Sequence, residues 1–235
     1  MQRHSLATAL TYDPRCLLHD AGSWHPERPE RLVAVLGAID DYFGPQTIAT
    51  PATPDRAVLE SVHDLAYLTY LERFCAAGGG RLDADTFVGP ASYQAALAAV
   101  GAACRAVDDV MAEASSSAFA LVRPPGHHAL TARAMGFCLL NHVAIAARYA
   151  QDRRRVRRVL IVDWDVHHGN GTHDCFYDDP DVAYFSVHRW PFFYPGTGAA
   201  GERGRREGLG TTCNVPLGAG AGDADYLAVF QRVLA

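Results

Sequence analysis

Three short apolar runs that end abruptly in ionisable residues constrain the fold of this chain more than any other feature. Residues 118–122 give way to Arg123-Pro124-Pro125-Gly126-His127-His128, residues 159–162 to Asp163-Trp164-Asp165-Val166-His167-His168, and residues 182–187, with Ser186 inside the run, to His188. A run of four to six residues, apolar almost throughout, reads as a strand buried on both faces, which is the habit of parallel sheets. Between and before these runs the apolar spacing turns helical. Leu32, Val35, Leu36 and Ile39 mark a helix over residues 31–42, introduced by two prolines. A second helix is expected over 58–77, stopped by Gly78, Gly79 and Gly80. A third, Ala-rich, is expected over 92–114 with Ser92 as its N-cap, and a fourth over 141–149.

Strands alternating with helices predict an α/β fold, an open parallel sheet with helices on both faces. In such sheets ligands gather at the carboxyl ends of the strands, and that is where this chain puts its histidines. The 235 residues suit one domain over 1–235, and the segments 115–117 and 196–210 read as loops within it.

Composition narrows the function. With 49% hydrophobic and 20% charged residues the chain is a globular protein. Its 21 basic residues are all arginine, which excludes a P-loop lysine and a Schiff-base lysine. A net charge of −5 argues against direct nucleic-acid binding. The six cysteines, 16, 75, 104, 138, 175 and 213, form no Cys-x-x-Cys pair and read as reduced, buried thiols. Neither a leader at the N-terminus nor an apolar run long enough to span a membrane is visible, so the expected address is the cytoplasm, with no membrane partner.

Four of the 11 histidines form two adjacent pairs, each just past an expected strand. Asp163, Asp165 and His167 are spaced by two, which on extended backbone puts them on one side, where a carboxylate and an imidazole can share a metal. Zinc accepts such ligands and in catalytic sites keeps a position open for water. The plainer alternative makes Asp163 and Asp165 helix caps and His167 a satisfied loop histidine. The second pair and the Gly169-Asn170-Gly171 turn favour the metal reading. His127 and His128, held by a Pro-Pro-Gly turn, suit neutral bases, one to take a proton from water and one to protonate a leaving group.

These residues are similar to a known set. His25-Pro26-Glu27-Arg28-Pro29-Glu30-Arg31-Leu32, Arg123-Pro124-Pro125-Gly126-His127-His128-Ala129, Gly136-Phe137-Cys138 with Asn141, the stretch from Asp163 to Thr172, and Tyr194-Pro195-Gly196-Thr197-Gly198 resemble, in order, the zinc-dependent histone deacetylase family. The resemblance is nearest to its class II-like bacterial members and the acetylpolyamine amidohydrolases. It implies an arginase/deacetylase-like sheet. It implies also that Asp165 and His167 are zinc ligands, His128 the general base and acid, and His127 its electrostatic partner. Asp163 would orient His127 and Asn170 would orient His128; an Asn at 170, where class I relatives carry Asp, places the chain near class II. Phe137 and Tyr194 would wall a tunnel for the acyl-lysine stem, Gly136 would permit close approach, and Asp85 would hold the substrate backbone. Asp163, Asp165, His167, Ser186 and the carbonyl of Val187 would surround a structural K+ or Na+.

The resemblance places a third zinc ligand, an Asp, on a later strand and an oxyanion-stabilising Tyr after a later Gly-rich turn. Ala235 comes before both, so the chain is expected to lack the C-terminal part of the domain and to leave a gap in the sheet. Asp223 and Asp225 read as helix-start residues. The implied function is zinc-dependent hydrolysis of an acetylated lysine peptide or polyamine, releasing acetate; a homo-oligomer stays open. The alternatives are a catalytically inactive binding or interaction protein, and an arginase-like hydrolase with paired metals, for which no bridging Asp-rich cluster is visible.

Overall fold

A computed structural model describes residues 8–234. The expectation of no leader rests in part on residues 1–7, which lie outside the described residues. The chain divides into two compact units, residues 1–155 and 156–235.

The first unit runs β1 (Thr8–Tyr12), α1 (Pro29–Phe43), β2 (Ile48–Ala49), α2 (Arg56–Glu60), α3 (Leu65–Ala76), β3 (Gly80–Arg81), β4 (Phe87–Val88), α4 (Ser92–Met111), β5 (Ser117–Leu121) and α5 (His142–Arg154). Strands β2, β1 and β5 form a parallel sheet in that order, while β3 and β4 make a short antiparallel pair. One core cluster joins Cys16, Leu32, Ala98, Ala99 and Leu121, so that α1, α4 and the sheet share one apolar centre. The alanines of α4 let it lie close in: Ala95, Ala96, Ala98, Ala99 and Ala102 are all buried.

The second unit runs β6 (Val159–Asp163), α6 (Asn170–Phe176), β7 (Val182–Arg189), β8 (Thr212–Leu217) and α7 (Asp223–Val229). Its three strands are parallel, in the order β6-β7-β8. The α/β class and parallel strands stand as expected, drawn as two three-stranded parallel sheets, one in each unit.

Several local expectations need correction. The helix expected over 58–77 is two helices, because His63 donates from Nδ1 to the Leu130 carbonyl at 3.0 Å and Asp64 N–H to that of Thr131 at 3.0 Å, pulling residues 61–64 off the helical path. Ser92 does not cap α4. It is the first helical residue, and its Oγ accepts from Gly89 N–H and meets His19 Nδ1, each within 2.9 Å. Strands β5 and β6 are not buried on both faces, since Phe119 is 50% and Leu160 56% exposed. Cys175 and Cys213 are half-buried, while the other four thiols are buried. Asp225 does begin a helix, with its Oδ2 accepting from Gly222 N–H. No described helix is long and apolar enough to cross a membrane.

Candidate active site

In the first unit the histidine pair sits at the end of β5 in a loop built around a buried ion pair. Arg123, wholly buried, donates to both carboxylate oxygens of Glu27 at 3.0 and 2.9 Å and to the Cys16 carbonyl at 2.9 Å. The bidentate fork satisfies a guanidinium that would otherwise be costly to bury, and it ties the His25–Arg31 stretch to the Arg123–His128 stretch. Sequence reasoning flagged both stretches but gave neither residue a role; the signal was there in two arginine- and proline-rich motifs holding one buried acid.

His128 is 3% exposed and His127 half-buried, with ring centroids 4.0 Å apart. The backbone N–H of His128 points at Cys138 Sγ, 3.4 Å away. Gly136 packs flat against the same ring: a Cβ there would lie 2.3 Å from His128 Cδ2, and its φ is +56°. Phe137, at φ +67°, is pinned by its N–H to Thr86 Oγ1 at 3.1 Å, and Thr86 in turn donates to Asp85 Oδ1 at 3.1 Å. His25 completes the group. It donates from Nε2 to the Asp85 carbonyl at 2.9 Å and meets the Phe137 ring edge-on at 4.5 Å. The structure therefore brings Asp85, Gly136, Phe137 and His128 into one neighbourhood of the first unit. Behind it, burial holds His142 down to a pKa of about 4 and hence neutral.

In the second unit the ionisable triplet follows β6, but not as an extended strand. The strand ends at Asp163, and the next residues step round in turns: Asp165 N–H donates to Asp163 Oδ1 at 3.2 Å and His167 N–H to Asp165 Oδ1 at 2.8 Å. This corrects the expectation of an extended backbone; Asp165 Oδ1 and His167 Nδ1 nonetheless face each other 3.0 Å apart. Tetrahedral ligands at about 2.0–2.1 Å from zinc lie roughly 3.3 Å from one another, so this pair of donors fits two corners of a zinc site. Neither aspartate caps α6, whose N-cap is Gly169.

Asp163 is held separately. Tyr184 donates to its Oδ2 at 3.0 Å and accepts from Gly169 N–H at 3.1 Å, and burial together with the Asp163 charge pushes the Tyr184 phenol well above its ordinary range. Register puts Asp163 opposite Ser186, and Ser186 opposite Asn214. Val187 is buried between them and His188, to whose Nδ1 the Ser186 hydroxyl donates at 2.9 Å. The His167 ring is stacked on Phe193, 4.9 Å away and 8° from parallel, and meets Tyr194 edge-on at 6.0 Å. Arg189 also lies over the Phe193 ring, 4.5 Å from its centroid; sequence reasoning assigns only Tyr194 and misses Phe193. Asn170 is buried at the start of α6. The described residues gather no third His, Cys, Asp or Glu donor around Asp165 and His167; their one such group of three lies elsewhere, at His168, His173 and Glu202.

The histone deacetylase domain model matches residues 25–235. The chain belongs to the histone deacetylase family. It is 44% identical over 230 residues to an uncharacterized Synechocystis protein, covering 95% of this chain and 74% of that one. It is 38% identical to the histone deacetylase-like amidohydrolase of Pseudomonas aeruginosa, spanning 65% of that protein's length, and 39% identical to the human polyamine deacetylase HDAC10, spanning 37% of it. Among solved structures, the HD domain of HDA15 superposes with a TM-score of 0.92 at 39% identity, covering 97% of this chain and 69% of that one. The Pseudomonas relative is named an amidohydrolase, and a relative from Archaeoglobus fulgidus, 37% identical, a probable deacetylase.

Proposed function

We propose that this chain carries the working residues of a zinc-dependent deacetylase that hydrolyses the amide of an acetylated lysine or polyamine and releases acetate. The observation that carries the reading is the pair Asp165 Oδ1 and His167 Nδ1, facing each other at 3.0 Å, in a chain whose family acts on such amides. Bound zinc would supply Lewis-acid polarisation of the amide carbonyl and a lowered pKa for water. The chain's own residues do the rest. His128, buried and fixed by Gly136 and Cys138, takes the proton from the attacking water at its ring nitrogen and returns it to the departing amine. His127, at a centroid distance of 4.0 Å, shares the charge His128 acquires, with Asp163 and Asn170 assigned to orient the two rings. Phe137 and Tyr194 flank the apolar stem, and Asp85, its carbonyl tied to His25, offers a carboxylate to the substrate backbone. Asp163, Asp165, His167, Ser186 and the Val187 carbonyl are assigned to a monovalent cation, and a cytoplasmic address goes with the reading.

One observation favours a second reading, a non-catalytic binding protein: the described residues give Asp165 and His167 no third donor, whereas catalytic zinc takes three protein ligands. An acetate-release assay separates the two. The chain is completed with the remainder of a relative such as the Synechocystis protein and offered acetyl-lysine peptide and N-acetylated polyamine. Chelator-sensitive release that His128→Ala abolishes is expected. A folded, zinc-loaded completed chain that binds the peptide but releases no acetate would leave the binding reading standing.

A further inference from the structure

The second histidine of the His167-His168 pair has no part in the function proposed above, and neither do His173 and Glu202. Yet they converge. Their ligand-capable atoms, two ring nitrogens and a carboxylate oxygen, all lie within 4.8 Å of one another. His168 and His173 are 0% and 6% exposed, while the Glu202 side chain keeps 36% of its surface open to water.

The orientation of the two rings is fixed from behind. His168 Nδ1 lies 2.8 Å from Thr197 Oγ1, and His173 Nδ1 lies 3.0 Å from Asp174 Oδ1. A carboxylate can only accept at neutral pH, so His173 Nδ1 bears a proton, and in the neutral ring Nε2 then presents a lone pair. That Nε2 is a fully buried atom with no hydrogen-bond partner among the described residues, and it sits 3.7 Å from Glu202 Oε2. A buried nitrogen lone pair facing a carboxylate repels it unless something positive stands between them. An Nδ1–H held by an oxygen acceptor, with Nε2 aimed inward, is the arrangement by which metal-binding imidazoles are oriented. Glu202 is braced too, its Oε2 accepting from Gly198 N–H at 3.0 Å.

The pocket is shaped to this cluster. A Cβ on Gly198 would lie 2.7 Å from His168 Cγ and 2.3 Å from His188 Nε2, so only glycine lets the loop close over both rings. His188 is no ligand, since its Nε2–H donates to the Gly198 carbonyl at 2.9 Å and its Nδ1 accepts from Ser186.

We propose that His168, His173 and Glu202 form a divalent metal site of the zinc class, distinct in its residues from Asp165 and His167. Two imidazoles and one carboxylate suit a borderline cation and disfavour calcium or magnesium, which take oxygen. To meet the roughly 3.3 Å edge of a tetrahedral site, the gap from His173 to Glu202 needs to close by a few tenths of an ångström, and the separations to His168, within 4.8 Å, by up to about 1.5 Å. The fourth corner opens on the exposed side of Glu202, where water completes the coordination. Metal bound there fastens the loop carrying Thr197 and Glu202 to α6 and to the loop ahead of it, a structural role.

The test is a zinc titration against a chromophoric zinc chelator, run on the His167→Ala chain so that the result does not depend on the Asp165–His167 reading. About one equivalent of zinc bound by H167A is expected, with a matching rise in melting temperature. Adding His173→Gln or Glu202→Gln should weaken it at least tenfold and abolish that rise. Should H167A fail to fold, the same two substitutions in the otherwise unaltered chain are expected to remove one zinc equivalent. Zinc binding of unchanged stoichiometry and affinity in both variants, or no zinc bound by folded H167A, overturns the proposal.

Discussion

At the scale of single residues, function hangs on how tightly a few side chains are confined. Gly136 shows this most sharply. Its φ of +56° and the 2.3 Å approach that an added methyl would make to His128 Cδ2 mean that Gly136→Ala must displace the very ring assigned as base. In the completed, active chain that substitution is expected to lower kcat by at least about a hundredfold, the range for removing a positioned acid–base group, while zinc content stays unchanged. A G136A protein with wild-type kcat would mean that His128 is not the base. Glycine in a Gly-Phe-Cys stretch was visible in the sequence, but the ring it makes room for was not, because a stretch of loop separates them. In the same way the turns from Asp163 to His167 could not be read from spacing; the i, i+2 pattern assumed an extended backbone that the chain does not adopt there. Phe193 offered no signal beyond being one of two adjacent phenylalanines.

At the scale of elements, the first unit is organised by polar groups buried between segments distant in sequence. Arg123, at the end of β5, reaches Glu27 just ahead of α1, and the pair is almost fully desolvated, at 0% and 5% side-chain exposure. Removing one partner from such a pair leaves a stranded charge and costs roughly 3–5 kcal/mol. Arg123→Met is therefore expected to lower the unfolding free energy by about that amount in urea, and Glu27→Gln added to it to recover part of the loss. An R123M chain as stable as the parent would show that Glu27 finds other partners. The same logic explains which elements were legible. While β1 and β8, which complete the two sheets, were not read from the sequence, strands β5, β6 and β7 announced themselves through local apolar runs and α1 through its spacing. The break between α2 and α3 did not, because His63 is drawn off by a carbonyl 67 residues away, and neither did the true partners of Ser92, one of which is His19, 73 residues distant.

At the scale of the whole molecule, three buried histidines of the first unit make the chain sensitive to acid. His19, His63 and His142 are each held down to a pKa of about 4, in every case chiefly by burial. An unfolded histidine titrates near 6.5. Between pH 6.5 and about 4 the unfolded chain thus binds more protons than the folded one, and stability falls as pH falls. Each histidine costs on the order of 1 kcal/mol per pH unit across that window. The urea midpoint is expected to drop steeply from pH 7 to pH 5 and to be flat from pH 7 to pH 8; a midpoint unchanged at pH 5 would show that these rings protonate in place.

The family and the separation of roles between metal ligand and base are the centre of this account, and zinc binding tests that separation most directly. The measurement is the zinc affinity of the Asp165–His167 pair, made in the His173→Gln background so that one site is counted, for the parent, His128→Ala and His167→Ala chains. With two described ligands where catalytic zinc takes three, the parent is expected to hold zinc weakly. H128A should match the parent's zinc affinity, and H167A should lose it. Equal loss of zinc in H128A and H167A would contradict the assignment.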